Sequence, residues 1–238
     1  LTIVAERLEL SRLGGTPAWA ERLLLVLAVL LGALIVARVF CHAGSTSAHA
    51  IGAALAAIAI WELRFDLARR TVRRRGLPRY TACAVLAGGI WLFVSGAILA
   101  CCEVPPAGPL YDAALHAIFV GFVLSMVFAH APIIVPAVAQ ARLPYHPLFY
   151  VPLVVLHAGL ALRVAGDLGL GPAARRAGGL ANAIALLLFA LVASFSKRLT
   201  DGPRSASVRL APATGGAIVR IPGRRAERLE DPSTRPPT

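Results

Sequence analysis

The sequence predicts an all-α fold, a polytopic bundle of transmembrane helices, and three observations predict it. Hydrophobic residues make up 58% of the chain and charged residues 15%, with a mean hydropathy of +0.72. Several separate apolar runs approach the roughly 20 residues that a helix needs to cross a bilayer. The charges sit in blocks between those runs, where a soluble domain would scatter them along every element.

Taken in order, the chain begins at Leu1 without a methionine. The stretch LTIVA reads as the last turn of a hydrophobic helix and ERLELSRL as its charged exit, with no secretory signal pattern. The expectation is a C-terminal part of a longer protein, with the end of one truncated span upstream of six whole ones. The first span covers 22–40, and the second covers 46–63, rich in alanine and carrying Trp61 near its end. A basic loop with seven arginines from Arg64 to Arg79 leads to the third span, 80–102, which closes on Cys101 and Cys102. The turn EVPPAGP precedes the fourth span, 110–131, which Pro132 and Pro136 either end or kink, since each lacks an N–H donor. The fifth span is 147–165 and the sixth 179–196. Residues 1–197 thus form the helical domain. From Arg198 the chain is rich in Arg, Pro, Gly, Ser and Thr without an apolar period, a composition that predicts a disordered basic tail over 198–238.

Counting lysine and arginine sets the orientation. With the 64–79 loop inside, that side holds 20 of the 24 basic residues, and the other holds Arg38, Arg163, Arg175 and Arg176. This bias places the 64–79 loop and the C-terminal tail in the cytoplasm. Twenty-three arginines against one lysine, Lys197, point to a GC-rich bacterial genome, and so to the bacterial inner membrane. The net charge of +12 lies in juxtamembrane loops and the tail, with no basic surface interleaved with aromatics. The expected partner is therefore the lipid bilayer, and nucleic acid is excluded. The Gly-rich pieces GLGLGP and GGAIVRIPG lack the strand–turn–helix context of a phosphate loop, so nucleotide enzymes have no support.

Ionisable side chains inside a bilayer are costly and are functional candidates by default. His42 and His49 flank the outer turn between the first two spans, His116 enters from the outer side, His130 and His146 lie toward the inner face, and His157 falls near the middle of the fifth span. Asp112, one turn before His116, is placed to hydrogen-bond that ring and orient it. Three readings compete. The histidines can be interhelical hydrogen-bonding residues. They can be axial ligands of a haem, with His116 paired to His49 or His157 and Arg163 neutralising a propionate. Or they can form a proton or ion path, a reading weakened by the lack of a carboxylate deep in any span. Gly121, Ser125 and Ala129 form a stripe of small residues that helix packing alone explains. Cys41, Cys101 and Cys102 lie at the outer ends of the first and third spans. A bridge from Cys41 to one of the vicinal pair is expected ahead of a copper or zinc site with His42.

The run LHAIFVGFVLSM, with His116, Ala117, Val120, Gly121 and Met126, resembles the HAxxVGxxGxM segment of NnrS-type membrane proteins. The resemblance covers 110–165. It departs after Met126, where the family continues toward an arginine and a GHTGR-like end while this chain has HAPIIVP. It implies a polytopic bacterial protein of nitrogen-oxide or respiratory metabolism carrying haem b, and copper as a further metal, with respiratory or denitrification proteins as partners. His116 carries over as the haem or metal ligand. His130 stands in a different register and is a metal candidate on its position alone. Whether such a protein turns over a substrate is left open. The alternatives are a transporter or channel with a His-lined path and a non-catalytic membrane scaffold.

Overall fold

The computed structural model describes residues 15–40, 45–105, 107–139 and 144–200. Helix α1 spans Ala18–Phe40, α2 Ser45–Phe65, the short α3 Ala68–Thr71, α4 Leu77–Cys101, α5 Pro109–His116, α6 Leu124–Ala139, α7 Tyr150–Ala165 and α8 Pro172–Thr200. A π-helical stretch, Ala117–Val123, joins α5 to α6, and a second, Gly166–Leu170, extends α7. Among the described residues no strand occurs. Six of the resulting rods are long and apolar enough to cross a membrane, as in a multi-pass integral membrane protein. Their outward faces are apolar too: Val26, Val29, Phe119, Val154, Leu180 and Leu187 are all at least 60% exposed. Water would penalise such a surface, and hydrocarbon would not.

The helices outrun the apolar windows that announce them. Helix α1 begins at Ala18, ahead of position 22, and α8 begins at Pro172, ahead of position 179, so Arg175 and Arg176 are helical and not part of a loop. The apolar run marks only the part of a helix in hydrocarbon, whereas backbone hydrogen bonding carries the helix on into the polar interface. Two helix starts share one device. At Gly108–Pro109 and Gly171–Pro172, a glycine at φ 116° or 90° turns the chain and a proline opens the next helix. The positive φ needs glycine, and proline loses nothing at a first helical position whose N–H has no partner. The helix of the fourth span runs on past Pro132 and Pro136 to Ala139, with both prolines inside it.

Helix α4 is the centre of the bundle. It packs against α2, α3, α5, the first π-helical stretch, α6 and α7, while α1 leans on α2. Two pairs of helices approach with backbones nearly in contact. Gly52 and Gly96 bring α2 onto α4, and Gly159 and Gly178 bring α7 onto α8. The small-residue stripe on the fourth span also faces α4: Gly121 lies against Trp91, Ser125 against Gly88, and the carbonyl of Ala129 accepts from Thr81 Oγ1 at 3.1 Å. Similar side-chain donors tie neighbouring helices elsewhere. Trp61 Nε1 donates to the carbonyl of Ala20 at 2.7 Å and Ser95 Oγ to that of Ala114 at 2.9 Å. At the arginine-loop end, Tyr80, Tyr145, Phe149 and Tyr150 pack ring on ring, and Phe128 stacks on Phe189 with centroids 4.0 Å apart.

The contacts between α2 and α4 fix an offset. Leu63 and the Glu62 carboxylate reach Gly89, the midpoint of α4, so the first half of α4 runs on past the end of α2. The loop carrying α3 folds back over that half. It leaves a recess of about 360 Å³ lined by Asp66, Thr71, Thr81 and His130 among apolar side chains. Cys41, His42 and the tail from Asp201 lie outside the described residues, and so do the bridge and tail expectations placed on them. Among the described residues, Cys83, Cys101 and Cys102 form no disulfide with one another.

Candidate functional site

The polar interior is built where helical register is broken. In the first π-helical stretch the amide of Leu124 reaches back five residues to the carbonyl of Phe119. This insertion displaces the ladder by one residue. Ser125 Oγ turns inward and donates to the carbonyl of Gly121. Its other neighbour is His157 Nε2 at 3.5 Å, and His157 Nδ1 accepts from Trp91 Nε1 at 2.9 Å. Because an indole can only donate, Nδ1 must be the unprotonated nitrogen, and the ring proton belongs on Nε2, facing Ser125. Three helices thus converge on one neutral imidazole at mid-height. Buried Asn182 on α8 stands near Gly159 of the same layer, and its carboxamide has no hydrogen-bond partner among the described residues.

A second cluster closes the end of the bundle opposite the arginine loop. Arg163 Nη2 donates to Asp112 Oδ2 at 2.7 Å, joining α7 to α5. His116 Nδ1 lies 2.8 Å from the carbonyl of Asp112 and 3.3 Å from its Oδ1, so main chain and side chain of Asp112 both contact the ring. The second π-helical stretch lifts Asp167 into the same cluster. Its side chain is fully buried, 3.6 Å from Arg175 Nη1 and with Asp112 and Arg163 as further charged neighbours. Two carboxylates, two guanidiniums and an imidazole therefore share one end of the fourth, fifth and sixth spans.

The remaining candidates stand apart. His49 Nδ1 faces the carbonyls of Leu99 and Ala100 at 3.2 and 3.1 Å. It lines a separate hollow with Arg38, Cys102 and Glu103. His130 Nδ1 lies 2.7 Å from the carbonyl of Met126, and the ring borders the recess under α3. His146 caps the turn at Pro147–Phe149 by accepting from the amide of Leu148. The structure brings together Asp112, His116 and Arg163, and leaves His49, His130 and His157 at separate places. Among the described residues no three His, Cys, Asp or Glu side chains converge as a metal centre would require. Trp91, Ser125, Asp167, Arg175 and Asn182 were not singled out as site residues from sequence. Only Asp167 carried a signal, as a carboxylate four residues after Arg163.

A domain family of unknown function, DUF8744, matches residues 1–198, and the chain belongs to that family. No curated protein matches the chain, and no solved structure does.

Proposed function

We propose that this chain moves protons across the membrane, with His157 as the midway station. The observation that carries the reading is the Trp91–His157–Ser125 chain, which sits between titratable groups at both ends of the bundle. Arg163 lies six helical residues from His157 on α7, about 9 Å along the axis. His130 lies five residues from Ser125 on the other side, about 7.5 Å. Asp112 and Asp167 at one end and His130 and Asp66 at the other give and take protons. An imidazole between them can take a proton at Nδ1 once the ring parts from Trp91, whose indole donates but does not relay, and release the one on Nε2. In this reading the Asp112 end is the outer one, in keeping with the arginine count.

Proteoliposomes with a pH-sensitive dye inside and an imposed potassium diffusion potential test this. The full chain should pass protons at least ten times faster than empty vesicles. His157→Asn, which keeps hydrogen-bonding groups but does not titrate, should fall to the empty-vesicle rate while eluting as a folded species. Flux equal to that of empty vesicles, or an unchanged rate in His157→Asn, overturns the reading.

One observation favours a second reading, the NnrS-like haem protein of nitrogen-oxide or respiratory metabolism. Asp112 grips His116 at Nδ1, the arrangement that fixes an imidazole so that Nε2 can bind a metal. His116 is the ligand residue in that reading. Protein purified from haem-replete cells should then show a Soret band that His116→Ala removes and His146→Ala preserves. Colourless protein free of copper would retire it.

A further inference from the structure

We propose that the arginine-loop end carries a binding site for an anionic phosphate group, in a hollow that shares Asp66 with the inner end of the proton path but does not depend on that reading. The hollow measures about 870 Å³ and lies between the start of α1 and the loop that follows α2. Arg64, Arg69, Arg70 and Arg73 line it, with Asp66 as the one carboxylate among the described residues and Trp19 on its wall. Spacing along α2 and α3 brings these arginines to one concavity although they belong to a longer basic stretch. Arg74, Arg75 and Arg79 of the same stretch are not among the lining residues.

The chemistry of the wall selects the ligand. Asp66 Oδ1 accepts the amide of Ala68 at 2.7 Å, so its charge is partly engaged in holding the loop. Arg69 Nη1 donates to the carbonyl of Arg64 at 3.2 Å, and the Arg64 guanidinium lies 5.3 Å from the centroid of the Phe65 ring. Both contacts leave most of each guanidinium's five donors for a ligand. Four guanidiniums against one carboxylate attract an anion, and the planar fork of arginine fits phosphate oxygens in pairs. Trp19, 59% exposed, is the kind of ring that sits at headgroup level beside a bilayer. The volume accepts a phosphate with a small polar substituent. An anionic lipid headgroup and a soluble phosphate both supply this chemistry, and the test separates them.

The immobilised full-length chain in maltoside is exposed to three radiolabelled probes: dihexanoyl phosphatidylglycerol, dihexanoyl phosphatidylcholine and inorganic phosphate. The anionic lipid should be retained at least tenfold better than the choline lipid, whose cation the arginines repel. Retention of phosphatidylglycerol without phosphate assigns a lipid headgroup, and retention of both assigns the phosphate alone; each supports the site. Arg64→Gln/Arg69→Gln/Arg73→Gln should lose retention at least tenfold. Arg74→Gln/Arg75→Gln/Arg79→Gln, which removes the same charge beside the hollow, should stay within twofold of the parent. Equal loss in the two triple variants, equal retention of both lipids, or no retention above bare resin overturns the proposal.

Discussion

Replacing Gly96 by valine should leave little folded protein in the membrane, whereas Gly32→Val should accumulate like the parent. A side chain at Gly96 would start 2.8 Å from the carbonyl oxygen of Gly52 and 2.9 Å from Ala56 Cα. Both atoms belong to the backbone of α2, so no rotamer change relieves the clash, and α2 and α4 must move apart. Overpacking usually costs about 1–3 kcal/mol where side chains can yield, and a backbone obstacle pushes the cost beyond that range. Separation also removes the long contact that ties α2, and through it α1, to the rest of the bundle. A Cβ at Gly32 would meet nothing within 4 Å, although the residue is equally helical, which isolates the packing term from propensity. Fluorescence-detected size exclusion of tagged protein in detergent reads the difference. Equal recovery of the two variants would show that the α2–α4 approach does not limit folding.

Arg163→Ala should destabilise the detergent-solubilised protein by about 2 kcal/mol, between the cost of breaking an exposed ion pair and that of breaking a buried one. The middle value applies because the pair is half-buried, with the Asp112 side chain 34% exposed. Loss of the guanidinium leaves two carboxylates, Asp112 and fully buried Asp167, with Arg175 as the remaining cation of the cluster. Adding Asp112→Asn should recover part of the loss, since the second change removes the charge left without its partner. A cycle of the two single variants and the double variant in thermal unfolding measures the coupling. Strict additivity would mean that the 2.7 Å contact contributes no coupling energy.

The architecture was legible wherever it depends on bulk hydropathy. Six apolar runs became six helices, and the glycines and small residues that permit close approach stood out along the fourth span. The candidate site was legible in part. Asp112 and His116 are one turn apart on one helix, so simple periodicity pairs them. Arg163 meets Asp112 from 51 positions away, and Trp91 meets His157 from 66 away; no local pattern carries such information. A sixth span read as 179–196 leaves Arg175 outside it, yet Arg175 stands inside α8 and faces Asp167. The π-helical stretches were invisible for a different reason. They change which amide meets which carbonyl, while composition and hydropathy stay the same.

That inserted register bears on how the sequence is free to drift. From Leu124 onward, each residue of α6 stands about where its predecessor would stand in an uninterrupted α-helix from Pro109. Losing a single residue between Asp112 and Ser125 would let the stretch close into a regular α-helix with the later residues still in place, but gaining one would turn everything beyond it by about 100°. Ser125 would leave His157, and Ala129 would leave Thr81, although every side chain in the segment still existed. Substitutions among Ala117, Ile118 and Phe119 alter only local fit. In this part of the chain the gain of a residue is therefore more damaging than the exchange of one, and the loss of one is the change the register can absorb.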